Sequence, residues 1–106
     1  MAHPDIPDNV RRLIARHIDS VQQIEILALL QGDTARAWTP PEVCRTLRIA
    51  PEACRAWLQA FALAGLVGRD ANGGFVDAGH RDAHDAIDLY ERRRRALIDS
   101  IYNKHA

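Results

Sequence analysis

Thr39-Pro40-Pro41-Glu42-Val43-Cys44-Arg45-Thr46-Leu47, then Arg48-Ile49-Ala50, then Pro51-Glu52-Ala53-Cys54-Arg55-Ala56-Trp57-Leu58, is the stretch on which the fold turns. Thr39 can accept a hydrogen bond from the backbone of Glu42, and Glu42 can return one to Thr39, which together start a helix. The two prolines fall in its first turn, where a missing N–H costs nothing. That helix should run to about Leu47. Arg48-Ile49-Ala50 allows only a short turn before Pro51 opens a second helix, predicted to run to about Ala64 and to stop at Gly65.

Working outward, Leu66-Val67-Gly68-Arg69 and Phe75-Val76-Asp77 flank Asp70-Ala71-Asn72-Gly73-Gly74. Two short apolar runs around an Asn-Gly-Gly turn read as a β-hairpin. Upstream, Asp8 is placed to cap a helix over about 8–18, with Val10, Leu13, Ile14, His17 and Ile18 on one face. Ser20 and Gln23 form a second capping pair. The helix they start, through Ile24, Ile26, Leu27 and Leu30, is apolar over so much of its circumference that it should be central to the core. Gln31-Gly32-Asp33 ends it. After Ala78-Gly79, a long final helix is predicted over 80–104. The whole chain, 1–106, reads as a single domain with an N-terminal helix (8–18), a core (20–79) and a C-terminal helix (80–104), preceded by a loose arm at His3-Pro4-Asp5-Ile6-Pro7.

The opening Trp38-Thr39-Pro40-Pro41-Glu42-Val43 and the close Phe61-Ala62-Leu63-Ala64-Gly65-Leu66-Val67 resemble the winged helix-turn-helix regulators of bacteria, broadly the MarR, ArsR and PadR type. The resemblance covers residues 38–67 most closely. It implies a mainly α fold: a winged helix-turn-helix with a small two-stranded β-wing and flanking N- and C-terminal helices. It places Val43, Cys44, Leu47, Ile49, Cys54 and Trp57 at the motif's buried positions. It makes 51–64 the recognition helix, with Glu52, Ala53, Arg55, Ala56, Gln59 and Ala60 facing the major groove of double-stranded DNA. Arg55 can read guanine and Gln59 adenine by paired hydrogen bonds. Arg36, Arg45 and Arg48 fall where phosphate contacts are expected, and Arg69 begins the wing. Arg48 stands where the motif usually has glycine, so the turn needs either a different or a strained backbone. The implied function is that of a small DNA-binding transcriptional regulator acting as a homodimer.

Composition tempers this. Fourteen Lys and Arg balance fourteen Asp and Glu, so the net charge gives no support to a nucleic-acid partner. The wing tip carries no basic residue, and phosphate neutralisation supplies most of the affinity in such complexes. A winged-helix module that recruits another protein and touches no DNA is therefore the competing expectation. The 47% apolar and 26% charged composition is that of a globular domain. The absence of a long apolar run and of a signal-peptide pattern points to the cytoplasm and to no membrane partner. Cys44 and Cys54 read as small, reduced core residues. No phosphate loop, nucleophile elbow or Cys–His pairing is present, so neither enzyme activity nor a cofactor is expected.

Two features of the last helix remain. His80, His84 and Asp88 recur every four residues, a spacing able to hold a divalent ion with help from Asp77; a solvated acidic first turn explains the same residues without metal. Ala83, Ile87, Tyr90, Arg94, Leu97 and Ile101 alternate in steps of four and three, the seam of a coiled coil. Acids dominate the first half and Arg92 to Arg95 with Lys104 the second, so an antiparallel dimer is expected, with Arg94 across the partner's Tyr90. The alternative is that this stripe packs onto Val10, Leu13, Ile14 and Ile18 of its own chain.

Overall fold

Ile24, Ile26, Leu27 and Leu30 point in several directions from one helix, and burying all of them takes neighbours on every side. The computed structural model, which describes residues 6–103, supplies those neighbours. In chain order the elements are α1 (Asp8–His17), α2 (Val21–Gly32), α3 (Pro40–Leu47), α4 (Pro51–Leu63), β1 (Val67–Arg69), β2 (Phe75–Asp77), α5 (Arg81–Arg92) and α6 (Arg94–Asn103). The chain is mainly helical, with one small antiparallel sheet. α2 lies against α3, α5 and β2, while α1 lies against α5 and α6. Residues 1–5 of the arm, and Lys104, fall outside the described residues. Among those described, no helix is long and apolar enough to cross a membrane.

Local signals set most of the boundaries. Glu42 Oε1 accepts from the Thr39 N–H at 3.0 Å, and Thr39 Oγ1 accepts from the Glu42 N–H at 3.4 Å. At the start of α2 the buried Gln23 holds the α1–α2 corner. Its Oε1 accepts from the Asp19 and Ser20 N–H groups at 2.6 and 3.0 Å, and its Nε2 donates to the His17 carbonyl at 3.0 Å. α4 ends as Gly65 requires, with φ +81° there. The Leu66 N–H donates to the Phe61 carbonyl, the Gly65 N–H donates to the Ala62 carbonyl, and Leu66 and Phe61 are both buried. That is a Schellman stop with its apolar contact. At α1 the cap differs from expectation: Pro7 is the N-cap, and Asp8 sits inside the first turn paired with Arg11.

β1 and β2 pair Val67 with Asp77, Gly68 with Val76 and Arg69 with Phe75. A third segment joins them. Trp38 donates its N–H to the Phe75 carbonyl at 2.8 Å and accepts the Phe75 N–H at 2.7 Å. The segment before α3 thus runs beside β2 and fixes the hairpin to the helical unit. At the hairpin turn, Asp70 Oδ1 accepts from the Asn72 and Gly74 N–H groups. Gly74 must be glycine, because a Cβ there would stand 2.8 Å from Ala37 Cβ.

The predicted helix over 80–104 is two helices. Arg93 leaves helical geometry at φ −134°, ψ 55°, and its carbonyl accepts the Leu97 N–H as α6 begins. No proline or glycine marks the break; what it accomplishes is tertiary. Leu97 and Ile101 are buried on α6, which lies against α1 and α5, and Ala83 and Ile87 are buried on α5, which lies against α1 and α2. Four of the six residues expected in a dimer seam are therefore spent in the chain's own core, and no continuous helix is left to carry the seam. Arg94 does sit over Tyr90, at 4.6 Å from the ring centroid, but within one chain. Leu97→Ala should cost about 2–5 kcal/mol, as for a core leucine, with a urea midpoint that does not change with protein concentration; a concentration-dependent midpoint would return the residue to a dimer interface.

Candidate nucleic-acid interface

The surface to be tested is the outer side of α3, the turn after it, α4 and the adjoining hairpin. Inward, Val43, Ile49, Cys54, Leu58 and Phe61 are buried. Cys44 and Leu47 are partly buried, and so is Trp57: the inward position of that turn belongs to Leu58. Outward, α4 presents Glu52, Arg55, Ala56, Gln59 and Ala60, all exposed, with Ala53 partly covered. Glu52, Arg55, Ala56, Gln59 and Leu63 follow helical spacing and form one stripe.

The turn between α3 and α4 resolves the question raised by Arg48. It keeps the left-handed conformation, with φ 58° and ψ 47°, and is the one non-glycine residue with positive φ among the described residues. Cys44 knits the turn from below. Its carbonyl accepts the Arg48 and Ile49 N–H groups, and its Sγ donates to the Ile49 carbonyl at 2.9 Å. Cys54 packs beneath, its Sγ 3.8 Å from the Pro40 carbonyl oxygen. Burial, and then the neighbouring Cys44, push its thiol pKa up, which disfavours the reactive thiolate.

The five arginines separate into two groups. Arg45, Arg48 and Arg55 are exposed and make no ion pair or side-chain hydrogen bond among the described residues. Arg36 is engaged: it stacks on Trp38 at 3.7 Å and pairs with Glu42 Oε2 at 2.6 Å. Arg69 covers Phe75 at 4.3 Å and donates to the Gly73 carbonyl at 3.1 Å, holding the hairpin turn. Their cationic faces are thus partly spent on structure. Arg69 nonetheless borders a shallow concavity of about 470 Å³ with Gln59, Ala62 and Leu63. Leu63 is 91% exposed there, a feature that spacing alone did not single out.

The metal candidates go separate ways. His80 Nδ1 accepts the Ala83 N–H at 3.3 Å as the N-cap of α5. His84 Nε2 lies 2.8 Å from both carboxylate oxygens of Asp77. Asp88 pairs with Arg92 at 2.6 Å. Among the described residues no group of three or more His, Cys, Asp or Glu has metal-holding geometry. Asp82 and Asp85, the rest of that acidic turn, both accept from Asn9 Nδ2 at 3.0 and 2.9 Å and tie α5 to α1, a link that spacing did not reveal. The chain matches no family model, no curated protein and no solved structure, so function has to be read from its own geometry.

Two measurements follow. The Thr39 backbone N–H, then Arg36 and the Thr39 hydroxyl, pull the Glu42 pKa from the ordinary 4.5 down to about 2. A depressed carboxylate stabilises the fold above its unfolded pKa and loses that contribution as pH falls through the folded one. Thermal stability should therefore decline between pH 4.5 and about 2, and Glu42→Gln should flatten that part of the profile; an unchanged slope would contradict the cap. Separately, Arg48→Gly should raise unfolding stability by up to about 1 kcal/mol, since glycine adopts the left-handed turn without a Cβ penalty. A loss of stability would mean the arginine side chain holds the turn.

Proposed function

We propose that the protein is a winged helix-turn-helix domain that binds duplex DNA, with α4 in the major groove and the hairpin as its wing, and that it serves as a small transcriptional regulator. The observation that carries this reading is the set of unpartnered arginines at the helix–turn–helix: Arg45 at the end of α3, Arg48 in the turn and Arg55 on the outer face of α4. Alanines at 53, 56 and 60 leave the α4 backbone free to approach base edges. The third segment beside the hairpin, the Trp38–Phe75 bridge, is also consistent with a wing secured to its helices.

In this reading Arg55 and Gln59 contact base edges, while Arg45 and Arg48 contact phosphates. Arg36 and Arg69 act chiefly by holding Trp38 and the hairpin in place, and Glu52 disfavours guanine next to Arg55 by leaving an acceptor facing acceptors. A homodimer would double the arginines offered to DNA, but it needs a surface other than the buried residues of α5 and α6.

The exposure of Leu63, together with zero net charge, favours a second reading in which the same face docks a protein. The two separate in a salt titration of binding to random duplex DNA by fluorescence anisotropy. Two phosphate-neutralising arginines, Arg45 and Arg48, give a slope of log K against log salt near −2, at about 0.9 per contact. Arg45→Ala or Arg48→Ala should reduce it by about 1, and Arg55→Ala should cost about 1–3 kcal/mol on a selected site. Leu63→Ala should leave the slope unchanged. Absence of salt-dependent binding would leave the protein-docking reading.

A further inference from the structure

Away from the proposed DNA face, α1, the end of α4 and the start of α5 border a half-open concavity of about 200 Å³. Arg12, Arg16, His17, His80 and Asp82 border it, over Leu13, Ala64 and Leu66. We propose that this is a binding site for a small phosphate monoester, held by the Arg12 and Arg16 guanidiniums and by the His80 imidazole.

The chemistry of the lining is specific. Arg12 and Arg16 are one helical turn apart on α1, so both guanidiniums can reach the same point. Both are exposed and neither has an ion-pair or hydrogen-bond partner among the described residues. Two adjacent guanidiniums with no acid between them are arranged for a dianion, whose oxygens accept paired N–H donors. His80 adds a directed donor. Because its Nδ1 accepts the Ala83 N–H, the neutral ring carries its proton on Nε2. The capping places this ring at the N-terminal end of α5, where the helix dipole favours an anion.

Asp82 is the opposing charge. One of its oxygens accepts from Asn9 Nδ2 at 3.0 Å, and its charge is outnumbered in the lining by the two guanidiniums of Arg12 and Arg16. His17 reports the local potential: its pKa is lowered by burial first, and then by Arg16 and His80. A neutral His17 contributes a hydrogen bond rather than a charge, and a bound dianion would reverse the effect of Arg16 on it. The volume suits a phosphate group with a few waters, at about 30 Å³ each, and the apolar floor at Leu13 and Leu66 suits a small organic substituent. A backbone phosphodiester has one charge and two blocked oxygens, so it offers two guanidiniums less charge and fewer acceptors.

The test uses the intact chain with inorganic phosphate, phenyl phosphate and dimethyl phosphate as probes, at constant ionic strength. Melting temperature and the NMR titration of the His17 ring are followed. Phosphate and phenyl phosphate should raise both the melting temperature and the His17 pKa, and dimethyl phosphate should do neither. Arg12→Gln and Arg16→Gln, at exposed positions with no partner to lose, should each weaken phenyl phosphate binding by about tenfold or more while circular dichroism stays native. No shift of His17 with any probe would overturn the site. Equal effects of dimethyl phosphate would overturn the monoester assignment, and unchanged affinity in both variants would overturn the role of the arginines. None of these residues lies on the proposed DNA face, so the outcome is independent of DNA binding.

Discussion

The two backbone hydrogen bonds between Trp38 and Phe75, 2.8 and 2.7 Å long, are the constraint on which the rest of this molecule depends. A two-stranded hairpin of three-residue strands is marginal on its own. Pairing β2 with the segment before α3 gives it a third neighbour and anchors it to the helices. Trp38 is held from both sides. Its backbone is in the sheet, its ring is buried beneath the Arg36 guanidinium, and the next residue, Thr39, caps α3. Arg36 then reaches Glu42, which closes the same cap. Sheet, cation–π stack and helix start are one connected unit, and it fixes where β1 lies relative to α4. That placement brings Arg69 to the side of Gln59 and Leu63.

What the sequence made legible was what local chemistry decides. The capping pair Thr39–Glu42 marked the start of α3, and Ser20–Gln23 that of α2. At α2 only the Gln23 half of the expected pair forms, and Ser20 Oγ is left without a partner among the described residues. Gly65 marked the end of α4, because its left-handed conformation closes a helix by contacts a few residues away. The hairpin turn followed from Asn72-Gly73-Gly74, while the part Asp70 plays in holding it emerged only from the fold. The helix break at Arg93 was not legible, since no residue there opposes helix and the cause is the packing of α6 against α1 and α5, with Leu97 and Ile101 buried. The seam spacing of Ala83, Ile87, Leu97 and Ile101 was real, but a periodic stripe does not specify whether its partner is another chain or its own α1. The same holds for Arg94 and Tyr90, which meet within one chain across the break at Arg93. At the candidate site, exposure of Arg55 and Gln59 followed from helical geometry, while the partners of Arg36 and Arg69 came from residues brought close only by the fold.

Zero net charge says little about any one face: three of the acids are paired with arginines, and the one acid on α4, Glu52, stands exposed beside Arg55. Asp70 serves the hairpin turn, Asp77 faces His84, and Asp82 and Asp85 accept from Asn9. Glu42, Asp8 and Asp88 pair with Arg36, Arg11 and Arg92. Against these stand Arg45, Arg48 and Arg55 on one face and Arg12 and Arg16 on another, all without such partners among the described residues. Net charge sums over the chain, whereas binding depends on which charges remain unpaired and where they cluster. The strained left-handed Arg48 belongs to this pattern: a residue with a conformational cost stands where glycine is the relaxed choice, and its side chain is left exposed.

DNA binding through α4 is read most directly in an amide NMR titration of the intact chain with a short random duplex at low salt. The shifts should concentrate on residues 45–59 and on Arg69 and weaken as salt rises, while α2 and α6 stay unmoved. Shifts confined to the α1–α5 side of the molecule, or no shifts at all at low salt, would contradict DNA binding through α4.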